Sequence, residues 1–200
     1  MIYKGNSPVS LPSKGAHSIK SVYKQNTLVY RNGVYVNNTP VMTAANRPTP
    51  YTIYSPSESS TTYAAWKAVD NNLTTSWITA SNTFPAPDYT GNQYWWLDLG
   101  STANAKKFCK LVITCQTTAN WPKAAPAYFF IQASNESGSN FKTLYTRNGK
   151  PNLTDWDINP VKEFIWDEPE IAYRYWSVTI RKTNGYTQTG VADFKFYTLQ

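Results

Sequence analysis

The sequence predicts an all-β protein: a β-sandwich of the jelly-roll barrel kind, preceded by a small N-terminal β-hairpin or meander arm. Three observations carry that expectation. Aromatic residues make up 16% of the 200 residues and charged residues another 16%, while Thr, Asn, Tyr and Pro are abundant, a mixture that favours strands and loops over helices. Strand-like runs of roughly five to nine residues recur between clusters of Pro, Gly and Asn, with no amphipathic helix among them. In the long run IAYRYWSVTIRK, Arg174, Trp176, Val178 and Ile180 share one face, and Tyr173, Tyr175, Ser177 and Thr179 share the other. A strand with one apolar face is what a two-sheet sandwich needs.

The length suits one domain of ordinary size with room for an appendage. Composition divides it into an arm over 1–40, a linker over 41–50 and the sandwich over 51–200. In the arm, SIKSVYKQNTLVYRNGVYV repeats a Val-Tyr pair at Val22-Tyr23, Val29-Tyr30 and Val34-Tyr35, with Gln25-Asn26 and Asn32-Gly33 between the pairs. Asn-Gly is the strongest two-residue hairpin signal, so two or three short antiparallel strands are expected. A meander this small is not stable alone and must lie on something else. VMTAANRPTP, with two prolines and little apolar content, reads as the linker.

The net charge of +7 is unevenly spread. Residues 1–50 hold Lys4, Lys14, Lys20, Lys24, Arg31 and Arg47 and no acid, so this segment carries +6 and the remainder only +1. A basic arm beside a near-neutral domain suggests an acidic partner, the alternative being an arm that is simply solvated. Nucleic acid is disfavoured as that partner, because repeated Val-Tyr pairs look like a sheet edge and not a flexible basic tail.

Within the main domain, YTIYS is the first strand, and Tyr63–Val69 has room for one helical turn before a loop at Asp70. Residues 78–93 form a long loop, followed by the strands YWWLDLG and FCKLVITC. A second long loop, QTTANWPKAAP, carries Trp121. AYFFIQASNESGSNFKTLYTRNG reads as a hairpin, KEFIWDEP as a strand, and VADFKFY as the closing strand. Cys109 and Cys115 lie on one strand about 20 Å apart, too far for a disulfide, and share parity with Leu111 and Ile113. They are expected as buried thiols.

Two stretches organise the rest. YAAWKAVDNNLTTSW sets a loop of Asp, Asn and Thr between two tryptophans, and YWWLDLG is a short aromatic strand ending in an acid, a leucine and a glycine. Together they resemble the discoidin, or coagulation factor 5/8 type C, domain, in which an alanine-rich segment and a D-G/N-x-x-x-T-x-W loop precede a W-[LIV]-x-[LIV]-D-L-G strand. Ala68, Asp70, Asn71, Thr75 and Trp77 match the loop; Trp96, Leu97, Asp98, Leu99 and Gly100 match the strand. Asn71 stands where the family most often has glycine, and either residue accepts a left-handed backbone. Phe130, Gln132, Ser134, Gly138, Phe141 and Leu144 resemble the family's next hairpin, and Asp193 takes the place of its closing acid. The resemblance runs in order from Tyr51 to Tyr197. The opening MIYKG and the hairpin pattern after it also resemble the N-terminal segments of phage tail and fibre proteins.

The resemblance implies a discoidin-like sandwich used for adhesion, most often to sugars. It also implies a structural calcium ion held by Asp70, Asn72, Thr75 and Asp193, the alternative being a hydrogen-bonded Asx turn with no metal. Many extracellular members join their ends by a disulfide, and the lack of such cysteines agrees with folding in a reducing compartment. A sugar site needs aromatic faces beside polar side chains. Tyr89, Trp121 and Tyr186, with Asn92, Asn120, Arg181 and Gln188, fall in or beside long loops, and the loops 79–93, 115–126 and 182–189 are expected to converge at one end of the sandwich.

An enzyme is not expected. The only histidine, His17, lies in the arm, so no Ser-His-Asp or Cys-His pair can form in the main domain. Phosphate-binding glycine motifs are absent from the sequence, and Asp155/Asp157 and Asp167/Glu168 read as solvated acids. No run of about 18 apolar residues is present for a membrane span, and MIYKGNSPVSLPSKG lacks the apolar core of a signal peptide. These readings lead us to expect a non-enzymatic bacteriophage virion protein, assembled in the host cytoplasm. Its basic arm would dock to other virion proteins and its discoidin-like domain would meet cell-surface glycan; a homo-oligomer is compatible with this. The alternatives are a secreted or cell-surface carbohydrate-binding module or adhesin, and a purely structural joining protein with no ligand.

Overall fold

The computed structural model describes residues 33–86, 88–116, 122–149, 156 and 160–200, together with the backbone of four short strands before residue 32. Those four strands form two antiparallel hairpins, β1 (Ile2–Lys4) with β2 (Ser7–Val9) and β3 (Ser21–Lys24) with β4 (Thr27–Arg31). In the second, Lys24 pairs with Thr27, and the expected turn residues Gln25-Asn26 lie outside the described residues.

Two antiparallel sheets make the sandwich. The first runs in the order β11 (Lys142–Asn148), β10 (Pro126–Ser134), β13 (Tyr175–Thr183), β8 (Thr90–Asp98), β6 (Thr52–Tyr54). The second runs β12 (Val161–Ile165), β9 (Phe108–Cys115), β14 (Gly190–Leu199), β5 (Tyr35–Asn37), with the short β7 (Trp77–Ile78) also pairing β14. The alanine segment forms two short 3-10 helices, Thr61–Tyr63 and Ala65–Val69.

Alternation along the strands fills the space between the sheets. Trp95 and Leu97 of β8, Trp176, Val178 and Ile180 of β13, and Phe194 and Phe196 of β14 are all fully buried. Their rings interlock: Trp95 lies 5.0 Å from Phe194 and Phe108 4.9 Å from Trp176, tilted or edge-on as the ring quadrupoles prefer. Trp77, Trp95, Trp156, Trp166 and Trp176 are core residues, so most of the tryptophan content is accounted for by packing. Cys109 and Cys115 are buried thiols without a disulfide, and burial pushes the Cys115 thiol far above its ordinary range.

Four expectations are corrected. The third Val-Tyr strand, β5, pairs with β14 and not, among the described residues, with β4, and Val34 and Gln200 exchange backbone bonds of 3.0 Å. Lys110 holds that edge, its ammonium about 5 Å from the rings of Tyr35 and Tyr197 and 2.9 Å from Glu163. Residues 41–50 are no mere linker, since Met42 is 1% exposed in the core and its amide bonds Val69 O at 2.9 Å. The sandwich therefore begins at about residue 33 and includes Arg47. In β10 the core side chains are Phe129 and Ile131, one residue before the matched Phe130 and Gln132, which reverses the face of that strand. Finally, Arg174 precedes β13 and turns away from Trp176 to pair with Asp98.

Candidate functional site

The connections at one end of the sandwich are bound together by main-chain hydrogen bonds. The segment after β13 is the hub. Thr183 N donates to Tyr89 O at 3.3 Å, Asn184 N to Ala125 O at 2.9 Å, and Gly190 N to Ala124 O at 3.1 Å. From the other side, Phe84 N donates to Thr187 O and Thr79 N to Thr189 O, each at 3.1 Å. The described parts of the three long loops thus converge, as expected. Glycine makes one approach feasible: a Cβ on Gly91 would lie 2.2 Å from Thr83 O and 2.6 Å from the Phe84 ring.

Sequence reasoning missed the residues that tie this end. Thr79, Thr183 and Thr189 are fully buried and Asn184 is nearly so. Thr189 Oγ1 donates to Ala124 O at 3.0 Å, Thr189 N to Thr79 Oγ1 at 3.0 Å, and Asn184 Nδ2 to Pro122 O at 3.3 Å. Each side chain stands in for a ladder bond that irregular backbone cannot make. Threonines in a loop carry no pattern that announces this role.

The candidate sugar-binding residues divide accordingly. Tyr89, with left-handed backbone (φ 49), and Tyr186 are both half-buried on the hub, and Thr183 links them: its amide bonds Tyr89 O, and its hydroxyl exchanges bonds with the main chain of Tyr186. Asn92 and Arg181 are exposed on the strands that lead from and into these loops, Asn92 on β8 and Arg181 within a bulge of β13. Gln188 is spent internally, its amide donating to Thr79 O at 2.6 Å. Asn120 and Trp121 lie outside the described residues.

The Asp70 loop is a second local centre. Asn71 adopts the left-handed conformation (φ 58) that the motif requires at this position. Asp70 Oδ1 accepts from Asn72 N at 2.9 Å and Oδ2 from the Thr75 hydroxyl at 2.6 Å. Asn72 turns its side-chain oxygen inward to Thr74, accepting from its amide and hydroxyl. Across a narrow cleft lined by Val69, Asn71 and Thr39 lies Asp193, 3% exposed. Lys195 Nζ stands 3.1 Å from Asp193 Oδ2 and forms an ion pair with that buried oxygen. Burial raises the Asp193 carboxyl above the usual carboxylate range; Lys195 pulls it down and the charge of Asp70 pushes it further up. Among the described residues no three His, Cys, Asp or Glu side chains cluster.

The family model for the F5/8 type C domain matches residues 52–193. The chain belongs to the F5/8 type C domain family. Solved structures agree with that fold. The family 32 carbohydrate-binding module of Clostridium perfringens NanJ, in complex with galactose, is 23% identical with a TM-score of 0.56, over 74% of this chain and 93% of that one. Chitosan-binding module 2 of a chitosanase/glucanase from Paenibacillus sp. IK-5, in complex with chitotriose, is 21% identical with a TM-score of 0.53, over 74% and 95%. A module of the C. perfringens protein CpGH89CBM32-5, in complex with GalNAc-β-1,3-galactose, is 16% identical with a TM-score of 0.56, over 74% and 95%. No curated protein matches the chain at a significant level. At these identities the likeness of this F5/8 type C domain to sugar-binding modules is one of fold.

Proposed function

We propose that this F5/8 type C domain is a non-catalytic glycan-binding adhesion module whose sugar site is the loop end. The observation that carries the proposal is the convergence of three loops on Thr183 and Asn184, which holds Tyr89 and Tyr186 half-exposed, with Asn92 and Arg181 exposed on the adjoining strands. Aromatic faces take the apolar C–H surface of a pyranose, while amide and guanidinium groups take its hydroxyls. Trp121, the residue before Pro122 in the same loop, stays in the proposal on its sequence position alone. That structurally similar modules bind galactose and chitotriose supports the reading. Asp167 and Glu168, the described acid pair, are exposed after β12 and line no described groove. A glycan array probed with the intact chain and with Y89A, W121A and Y186A tests the proposal. Binding weakened about tenfold or more at an unchanged melting temperature supports it; a silent array, or equal binding by all variants, contradicts it.

A calcium ion is the occupant that the family resemblance implies for the cleft beside the Asp70 loop: Asp193 is 3% exposed there, burial and then the charge of Asp70 raise its carboxyl, and Lys195, 3.1 Å from Asp193 Oδ2, would have to move aside. Asp70 and Asp193 would hold the ion, with loop oxygens near Thr75 completing the oxygen set that calcium takes. Its charge would offset the carboxylate repulsion and fasten β14 to the loop.

In the same proposal, the basic segment before residue 33 attaches the module to other proteins of a bacteriophage particle. Support comes from its charge and from its likeness to phage tail and fibre openings. The alternative placement is a bacterial surface or extracellular adhesin.

A further inference from the structure

The outer face of the five-stranded sheet breaks the alternation that a solvent-facing sheet follows. Between the core residues Trp95 and Leu97, β8 turns Trp96 outward, with Tyr94 beside it. Trp96 stacks on Tyr175 at 5.5 Å and meets the edges of Tyr54 at 6.1 Å and Phe141 at 6.2 Å. Tyr54 in turn lies 6.1 Å from Tyr94 and leaves 47% of its surface exposed. Tyr54, Tyr94, Trp96 and Phe141 wall a groove of about 250 Å³. Its floor is polar: Thr179 Oγ1 donates to Gln132 Oε1 at 2.8 Å, and the Ser177 hydroxyl lies 3.3 Å from that of Thr179. Among the described residues no charged side chain lines the groove.

We propose that this groove is a second carbohydrate site, taking one neutral pyranose unit of a glycan chain. It shares no residue with the loop end and stands on its own lining. Clustered aromatics on a soluble surface mark a site of interaction. A recessed floor of hydroxyl and amide groups distinguishes it from a wholly apolar protein-docking patch: each group keeps hydrogen-bonding capacity beyond the bond to its neighbour, and an apolar side chain would desolvate that capacity and leave it unmet. A pyranose satisfies both parts, with its C–H face on the rings and its hydroxyls on Ser177, Thr179 and Gln132. The missing counter-charge selects neutral sugars over sialylated or phosphorylated ones.

The test is a tryptophan-fluorescence titration of the intact protein with galactose, chitotriose and GalNAc-β-1,3-galactose, and with 3′-sialyllactose as the charged comparison. Wild type, Y54A, W96F and Y186A are compared, with melting temperatures measured for each. Tyr54 is exposed on an edge strand and W96F keeps a ring in place, so both variants should fold. The expected result is that at least one neutral sugar binds, about tenfold more weakly to Y54A and W96F, with a component that Y186A leaves intact and that 3′-sialyllactose lacks. The proposal is overturned if no neutral sugar binds, if Y54A and W96F bind as wild type does, or if Y186A alone abolishes all binding. Self-association of the wild type that Y54A abolishes, seen by sedimentation, assigns the face to a second copy of the chain and also overturns it.

Discussion

Arg174 lays its guanidinium along both oxygens of Asp98, Nε to Oδ1 at 2.7 Å and Nη2 to Oδ2 at 2.8 Å. Asp98 Oδ1 also accepts the amide of Gly100 at 2.7 Å. The acid of the YWWLDLG strand therefore fixes both its own turn and the entry to β13. The hydrogen bonding of the Arg174 guanidinium to Asp98 is the main cause raising its pKa. Charge-assisted bonds of this kind contribute about 1.5–3 kcal/mol where they are partly sheltered. Asp98→Ala is expected to lower the melting temperature by about 4–8 °C in a scanning calorimeter, and a change within about 1 °C would contradict the pairing.

Gly100 is required twice over. Its φ of 84° suits no ordinary side chain, and a Cβ there would stand 2.4 Å from Pro50 Cβ and 2.5 Å from Pro50 O. Gly100→Ala is expected to destabilise by more than about 1 kcal/mol, read as a lower denaturant midpoint at an unchanged slope. A neutral result would show that residues 47–51 yield easily.

The position of β5 and Met42 separates two truncations. Removing residues 1–32 should leave a cooperative transition close to that of the intact chain. Removing residues 1–50 strips the β5 edge and empties the Met42 site, a loss of the order of 2–5 kcal/mol for the methionine alone. Equal stability of the two fragments, compared by thermal unfolding, would return residues 33–50 to the status of a linker.

Much of this architecture is legible in the sequence because it rests on alternation and turn chemistry. FCKLVITC, IAYRYWSVTIRK and VADFKFY each become a strand, and Asn71 takes the left-handed backbone that the loop motif demands. What was not legible depends on partners remote in sequence. Asn32-Gly33 looks like a local hairpin, yet β5 finds β14 some 160 residues on, where Lys110 sits between Tyr35 and Tyr197. Phe129 and Phe130 are chemically equal in AYFFIQAS, and only the register with β13 decides which is core. At the loop end the aromatic positions were legible and the buried threonines that gather them were not. Trp96 reads as a motif residue in the sequence, although its neighbours fill the core and leave it facing outward.

The Asp193 carboxyl gives a pH signature. Its folded pKa is raised, first by burial, so in metal-free buffer the native state binds the proton more tightly than the unfolded chain does. The stability contributed by this group is therefore lowest at neutral pH and rises as the pH falls through the folded value towards about 3.9. Asp193→Asn should flatten that part of the profile and leave neutral-pH stability undiminished. Added calcium at neutral pH should raise the melting temperature of the wild type and not of the variant. An identical calcium response in both would remove Asp193 from the proposed ion site.

The central claim is that converging loops make a sugar site on this F5/8 type C domain. The most direct measurement is a map of backbone amide NMR shifts during titration of the intact chain with galactose and with chitotriose. The account predicts saturable shifts centred on residues 79–93, 121–126 and 182–189, with Tyr89 and Tyr186 among the largest and their alanine variants silent there. No saturable shift with either sugar, or shifts confined to surfaces away from this end of the sandwich, would contradict it.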